Sequence, residues 1–212
     1  KKSYLKEEFS PLLEHEYRIP LSEEHLETAW LEIEIALTNF FQNEPFIDLL
    51  RAAEYLDEQK TLNFKIEGFS VIGTPDLIVY SKGQPPLIVD WKVHAEPVKR
   101  YNQQLLIYAL GLHFVLTQGN QRSNWKNFSL NDYQLIEYQL LKNDLRYYPV
   151  TEEYLDQIKE FIIEGAYNLQ LAGADDSYNF DALKDLEQSD DPENCLTCSF
   201  RKICNHEYKP IE

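Results

Sequence analysis

Residues 76–92 read DLIVYSKGQPPLIVDWK, and we take this stretch as the centre of the fold. Two apolar segments of strand length flank a turn rich in glycine and proline, which predicts an antiparallel hairpin. We expect Asp76 to face Lys92 across this hairpin, and Ile78 to face Asp90. Directly opposed residues, and alternate residues along one strand, share a face of the sheet. The two aspartates and the lysine should therefore converge on one face.

The opposite face of the hairpin is uniformly apolar. Its side chains are Leu77, Val79, Leu87, Val89 and Trp91. A face of this kind packs against a helix or another layer of the protein. A register slip of one residue would move the charged side chains to opposite faces, so the apolar alternation favours the register that keeps the charges together.

The charged face predicts a site for a divalent metal ion. Asp90 interrupts an apolar strand, where an unpaired carboxylate is costly. Two carboxylates that share a hard cation are typical of a Mg²⁺ or Mn²⁺ site, which we assign to Asp76 and Asp90. Such a cation acidifies a coordinated water, and Lys92 beside it can orient the attacking water or stabilise developing negative charge. The alternative is a surface hairpin with an ordinary ion pair.

The remaining chain predicts an α/β (α+β) fold with a mixed central sheet flanked by helices on both sides. Apolar residues recur at helical spacing in some segments and alternate in others. We expect helices at 22–41, 45–58, 98–116 and 151–171, and further strands at 62–66, 71–73, 133–141 and 147–150, the last pairing with the one before it. We expect residues 1–212 to form a single domain in which residues 173–212 are an acidic linker and a cysteine-containing tail.

The charge balance excludes one class of protein. The chain of 212 residues has 20 basic and 36 acidic residues, a net charge of −16. A simple basic nucleic-acid coat is therefore excluded. A nucleic-acid enzyme with a local basic groove is compatible with this charge, because acids are needed to hold metal ions.

Three short motifs follow one another around the hairpin. They are Gly-Thr-Pro-Asp at 73–76, Asp-Trp-Lys at 90–92 and Gln-Leu-Leu-Ile-Tyr at 104–108. In this order and spacing they resemble the PD-(D/E)XK nuclease superfamily, and within it the RecB-like branch. That branch includes AddB-like domains of recombinational helicase–nucleases and the iron–sulfur-type exonucleases of CRISPR adaptation. The resemblance implies a restriction-endonuclease-like fold and a metal-dependent DNA exonuclease of repair, recombination or CRISPR adaptation.

The resemblance also implies roles for the residues of the hairpin. Asp76 and Asp90 would bind the metal ion, with the Trp91 carbonyl as a further ligand. Lys92 would be the catalytic lysine. These roles agree with those inferred from the chemistry of the two carboxylates and the amine.

The third motif lies on the helix that follows the hairpin. The resemblance implies that Gln104 orients the lysine or a water, and that Tyr108 contacts a substrate phosphate or supports Gln104. Independently, Arg100, Gln104 and Tyr108 lie at i, i+4 and i+8 on one helical face. Lys99 and Arg100, at the start of this helix, are expected nucleic-acid contacts through phosphate. The alternative for Tyr108 is a core aromatic residue.

A further metal ligand is implied on an early helix. The branch carries a histidine there in the pattern HxxLxxFF, and residues 35–41 fit the part after the histidine. The histidine position falls on Glu34, and glutamate also binds metal at this point in other superfamily members. We expect Glu34 to be the ligand, with His25 as second choice. The alternative is a solvated helix glutamate.

Cysteines occur only near the C-terminus, as Cys195, Cys198 and Cys204. An odd number so closely spaced argues against disulfides and, in a reducing cytosol, for a metal or cluster site. The resemblance implies a 4Fe–4S cluster whose fourth cysteine precedes a segment resembling residues 4–9 and is not in this sequence. Otherwise His206 could complete a Cys₃His zinc site. Three unligated cysteines are the remaining alternative.

We expect DNA as the partner, together with a helicase or integrase protein. No apolar run approaches the ~18 residues of a membrane span, and we expect a cytoplasmic protein without a membrane partner. Two other function classes stay open. A catalytically inactive nuclease fold could serve as a scaffold, which the charge of −16 and the lack of an obvious basic groove leave open. A zinc-stabilised interaction module is the other.

Overall fold

A computed structural model of the protein describes residues 22–93, 101–118 and 124–171, together with Cys198. The chain divides into two compact units, residues 1–27 with 167–212, and residues 28–166. The sheet and the three motifs belong to the second unit. The interpretation of residues 1–212 as one nuclease domain with a tail at 173–212 stays a prediction.

Helices and strands of the described ranges follow the order that the sequence predicts, with one additional strand. The helices are α1 (Glu23–Gln42), α2 (Glu44–Arg51), α3 (Tyr101–Gln118) and α4 (Glu152–Leu171). The strands are β1 (Tyr55–Glu58), β2 (Leu62–Ile66), β3 (Phe69–Gly73), β4 (Leu77–Tyr80), β5 (Leu87–Lys92), β6 (Gln134–Gln139) and β7 (Asp144–Tyr148). None of these helices is both long and apolar enough to cross a membrane.

A five-stranded mixed sheet organises the second unit. Its strand order is β1-β4-β5-β6-β7, and β2 with β3 forms a separate antiparallel hairpin. β5 and β6 are parallel, whereas the other neighbours in the large sheet are antiparallel. A parallel pair needs a long crossover connection, which α3 provides. The predicted mixed sheet flanked by helices is therefore confirmed.

The predicted helix at 45–58 is wrong in its second half. α2 ends at Arg51, and Tyr55–Glu58 forms β1, which pairs with β4 in antiparallel register. The backbone N–H of Glu54 donates to the carbonyl of Tyr80 at 2.8 Å and begins this pairing. Pairing with a neighbouring strand supplies backbone hydrogen bonds that a local helical pattern does not reveal.

The register of the β4–β5 hairpin differs from the prediction by two residues. Ile78 lies opposite Ile88, and not opposite Asp90 as predicted. The predicted pairing of Asp76 with Lys92 is wrong for the same reason. Leu77 lies opposite Val89, so the same register continued by one residue would place Asp76 opposite Asp90. Gly83 has a φ of 70°, in the left-handed region that favours glycine, and the turn is centred on it. An even shift leaves every side chain on its predicted face.

Both faces of the sheet are covered. On one face, the apolar side chains of β4 and β5 pack with Phe46 of α2, and Trp91 joins this cluster, as predicted. On the other face, Ile78 and Ile88 pack against α3. The β2–β3 hairpin lies close to α3 at Gly111, where a Cβ atom would be 2.7 Å from Cε1 of Phe64. A glycine is therefore required for this close approach.

Candidate active site

The two aspartates of the first two motifs lie at the β4–β5 hairpin. Asp76 directly precedes β4, and its Oδ2 accepts a hydrogen bond of 2.8 Å from the backbone N–H of Trp91 in β5. Asp90 is also on β5 and is only 3% exposed. The hydrogen bond to Trp91 ties the Asp76 side chain to the strand that carries Asp90. The hairpin thus brings both carboxylates to one side of the sheet.

A hydrogen-bonded chain continues from these acids to α3. The ammonium group of Lys92 forms an ion pair with Oδ2 of Asp90, and it donates to Oε1 of Gln104 at 3.0 Å. Nε2 of Gln104 donates in turn to the hydroxyl of Tyr108 at 2.6 Å. The i, i+4 spacing of the glutamine and the tyrosine produces this contact on one helix face. All five predicted motif side chains are therefore brought together.

Burial and neighbouring charges shift the pKa values of Asp90 and Tyr108. Burial raises the pKa of Asp90 above its ordinary value, the hydrogen bond and charge of Lys92 oppose this rise, and the Asp76 and Glu137 carboxylates add to it. Burial likewise raises the pKa of Tyr108, while its hydrogen bond with Gln104 acts in the opposite direction. The cluster is therefore a buried, predominantly anionic environment.

The donor set fits a hard divalent cation. The Asp76 and Asp90 carboxylates are the oxygen ligands that Mg²⁺ and Mn²⁺ prefer. Burial is the main cause of the raised Asp90 pKa, and a cation would offset the smaller contribution from the neighbouring carboxylates. Within the described ranges, no group of three or more His, Cys, Asp or Glu side chains lies close enough to hold a metal. Two carboxylates suit Mg²⁺, which keeps several waters. When bound, such an ion supplies Lewis acidity and a water of lowered pKa.

Sequence reasoning missed a second polar network beside this cluster. Glu137 on β6 is the register partner of Asp90 and is fully buried. Its carboxylate accepts hydrogen bonds from Gln139 at 2.7 Å, from Arg146 at 3.2 Å and from Tyr148 at 3.2 Å. The available signal was similar to that of Asp90, because Glu137 lies between the apolar Ile136 and the aromatic Tyr138 within a strand.

The predicted metal ligand on the early helix lies at an exposed position. Glu34 is exposed on α1 and belongs to no three-residue ligand group among the described residues. His25 is also exposed on α1, within the first compact unit. The assignments of Glu34, His25 and the Trp91 carbonyl as metal ligands remain predictions.

Several other predicted residues lie outside the described ranges. They are Lys99, Arg100, Cys195, Cys204 and His206. Cys198 is described as a partly exposed free thiol. The phosphate contacts at the start of α3 and the iron–sulfur or zinc site of the tail therefore remain predictions.

Comparisons with known proteins concern most of this chain. No curated protein matches it. One similar solved structure is a candidate exonuclease from Eubacterium rectale, with 15% identity and a TM-score of 0.45, over 85% of this chain and 62% of that chain. Another is the crystal structure of SSO0001, with 12% identity and a TM-score of 0.36, over 96% of this chain and 95% of that chain. This chain thus spans 62% of the length of the Eubacterium rectale protein.

A family model accounts for almost the entire sequence. The model of the PD-(D/E)XK nuclease superfamily matches residues 3–205, a range that contains all three motifs. The five-stranded mixed sheet with flanking helices agrees with the restriction-endonuclease-like fold of that superfamily. By sequence and by architecture, this chain belongs to the PD-(D/E)XK nuclease superfamily.

Proposed function

We propose that this protein is a Mg²⁺- or Mn²⁺-dependent deoxyribonuclease that hydrolyses phosphodiester bonds. The observation that carries the proposal is the connected arrangement of Asp76, Asp90, Lys92, Gln104 and Tyr108 across two strands and one helix. Membership of a nuclease superfamily supports it independently. A surface ion pair would not need a buried aspartate, a second carboxylate and a positioned glutamine.

Each residue has a task in this proposal. Asp76 and Asp90 hold the cation, with the Trp91 carbonyl as a further ligand. Lys92 orients the attacking water or stabilises the negative charge that develops on the phosphate. Gln104 fixes the position of the ammonium group, since its Oε1 accepts the Lys92 hydrogen bond at 3.0 Å. Tyr108 fixes Gln104 in turn.

We further propose an exonuclease of the RecB-like type that acts on single-stranded or end-containing DNA. The order and spacing of the three motifs support this finer assignment. In this proposal the enzyme acts in DNA repair, recombination or CRISPR adaptation, beside a helicase or integrase. The cysteine tail would carry a 4Fe–4S cluster, or zinc, with a structural role.

A cleavage assay with matched variants tests the nuclease assignment. Linear single-stranded, linear duplex and circular DNA labelled with a fluorophore are incubated with Mg²⁺, Mn²⁺ or a chelator. We expect metal-dependent cleavage of the linear substrates, abolished by Asp90→Asn and by Lys92→Met. The controls are Asp156→Asn and Lys159→Met, which change an exposed ion pair on α4. Cleavage that survives both site variants, with circular dichroism unchanged, refutes the assignment.

A further inference from the structure

A cavity opens directly beside the hydrogen-bonded chain of the active site. Its volume is about 490 Å³, and its walls include Gln104 and Tyr108. This volume lies within the ~300–1,000 Å³ of typical ligand sites. Because two motif residues form part of the wall, a group in the cavity lies next to the proposed catalytic centre.

The other walls bring apolar side chains from three elements to one place. Ile72 of β3 and Phe161 of α4 are 67% and 48% exposed, and Ile107 of α3 is partly buried. Single exposed apolar residues are common on protein surfaces. Here they converge on one concave surface, as in ligand sites, where a few polar groups accompany apolar walls. Gln103 and Thr74 supply such polar groups.

A nucleobase matches this combination of walls. Its faces are apolar and stack on aromatic side chains such as Phe161, while its edge carries hydrogen-bonding groups that Gln103 and Thr74 can meet. A base inside a duplex is covered on both faces by its neighbours. It must be unstacked before it can enter a pocket.

We propose that this cavity holds an unpaired base of the DNA strand next to the phosphate that is cut. This inference rests on the proposed nuclease function and deepens it by naming the side chains that contact a base of the single strand or frayed end. Phe161 and Ile72 bind the faces of the base, and strand selectivity arises because paired bases cannot reach them.

Binding and cleavage are measured separately to test the proposal. The full chain, with a chelator to prevent cleavage, is titrated with a fluorescein-labelled single-stranded oligonucleotide and with the matching blunt duplex. We expect Phe161→Ala to raise the Kd for the single strand by roughly 5- to 100-fold, with little change for the duplex. Phe161→Trp should restore binding. Tyr154→Ala, on the same helix and outside the cavity, is the matched control.

An abasic substrate identifies the base as the occupant. Oligonucleotides with one abasic position, moved stepwise along the strand, should show one position that weakens binding to the unaltered protein as strongly as Phe161→Ala does. With the abasic site at that position, Phe161→Ala should cause no further loss of affinity. Ile72→Ala changes the same cavity from a different element and should also weaken binding of the single strand. This variant keeps the test valid if Phe161→Ala impairs folding.

The outcomes separate this proposal from the nuclease assignment. Equal loss of affinity for single strands and duplexes, or no loss in either cavity variant, overturns the base pocket even if the protein cleaves DNA. Base-dependent binding by a protein that never cleaves DNA leaves the pocket standing and overturns the nuclease assignment.

Discussion

Gly73 and Tyr108 lie in direct contact, and a Cβ atom at Gly73 would be 3.0 Å from Cδ1 and 3.1 Å from Cε1 of the tyrosine ring. Gly73 ends β3 and opens the first motif, whereas Tyr108 closes the third motif on α3. The bare glycine backbone therefore makes room for the ring whose hydroxyl meets Gln104. Two motifs that are distant in sequence are sterically linked.

Gly73→Ala should displace this ring and lower activity. The added methyl group overpacks the contact, and we expect the free energy of unfolding to fall by about 1–3 kcal/mol, with slower cleavage. Gly165→Ala is the control, because its Cβ would meet no atom within 4 Å and alanine favours a helix. Urea denaturation and cleavage rates check both variants. Equal behaviour of the two would contradict the steric link.

Gln104→Leu should impair the chemical step more than substrate binding. The substitution removes the acceptor of the Lys92 hydrogen bond, and a misplaced catalytic group can cost roughly 10²-fold in rate. We expect kcat to fall by about that factor with a smaller change in KM. Gln157→Leu on α4 is the control, because the exposed Gln157 side chain donates a hydrogen bond to the exposed Glu153 on the same helix. A rise in KM with kcat unchanged would place Gln104 in substrate binding instead.

Mn²⁺ should stabilise the protein through Asp90. The two neighbouring carboxylates repel each other without a cation, and a ligand at 100 times its Kd adds about 2.7 kcal/mol to the free energy of unfolding. We expect the thermal midpoint to rise with Mn²⁺ and to return with a chelator. In Asp90→Asn this response should disappear while the metal-free protein stays folded. An undiminished response in the variant would move the metal site elsewhere.

Arg146→Ala should destabilise the sheet through the buried Glu137. Glu137 is fully buried, and Arg146 is its cationic partner at 3.2 Å. Leaving the carboxylate without this partner should cost about 1–3 kcal/mol of the free energy of unfolding. The double variant Arg146→Ala with Glu137→Gln should recover part of the loss, as measured by urea denaturation. Additive effects of the two substitutions would show that the pair is not coupled.

His113 should make the protein less stable in mild acid. Burial lowers its pKa from the ordinary value of 6.5, so the unfolded chain binds a proton more readily than the folded protein. The contribution of His113 to the free energy of unfolding is therefore complete above pH 6.5, and it is lost as the pH falls through the lowered pKa. Urea denaturation across this window should show a shallower decrease for His113→Gln. The exposed His25→Gln is the control and should retain the full decrease.

The faces of the active-site hairpin could be predicted from sequence, whereas its register could not. The alternation of apolar residues distinguishes the face of Asp90 from that of Trp91. A register error of two residues leaves each side chain on the same face, because side chains alternate with a period of two. The register depends on the turn, and the turn is centred on Gly83 because that residue adopts a positive φ. No periodicity in the flanking strands reveals that conformation.

Other features depend on partners that are remote in sequence. The segment Tyr55–Glu58 forms a strand because its backbone pairs with β4. Its own pattern of apolar and polar residues continues that of the preceding helix. The Glu137 network likewise depends on Arg146 and Tyr148, which the pairing of β7 with β6 brings to this carboxylate. The rule that identified Asp90, a carboxylate interrupting an apolar strand, applies equally to Glu137.

The parallel pairing of β5 with β6 has a consequence during protein synthesis. Every motif residue precedes Leu116, yet β5 gains its second neighbour, β6, only when residues 134–139 are available. Parallel pairing across a crossover helix forms late, because its loop must close first. A nascent chain that has exposed all three motifs should therefore remain inactive on the ribosome. In the nuclease proposed above, cleavage would begin only after residues 134–139 have been synthesised and have paired with β5.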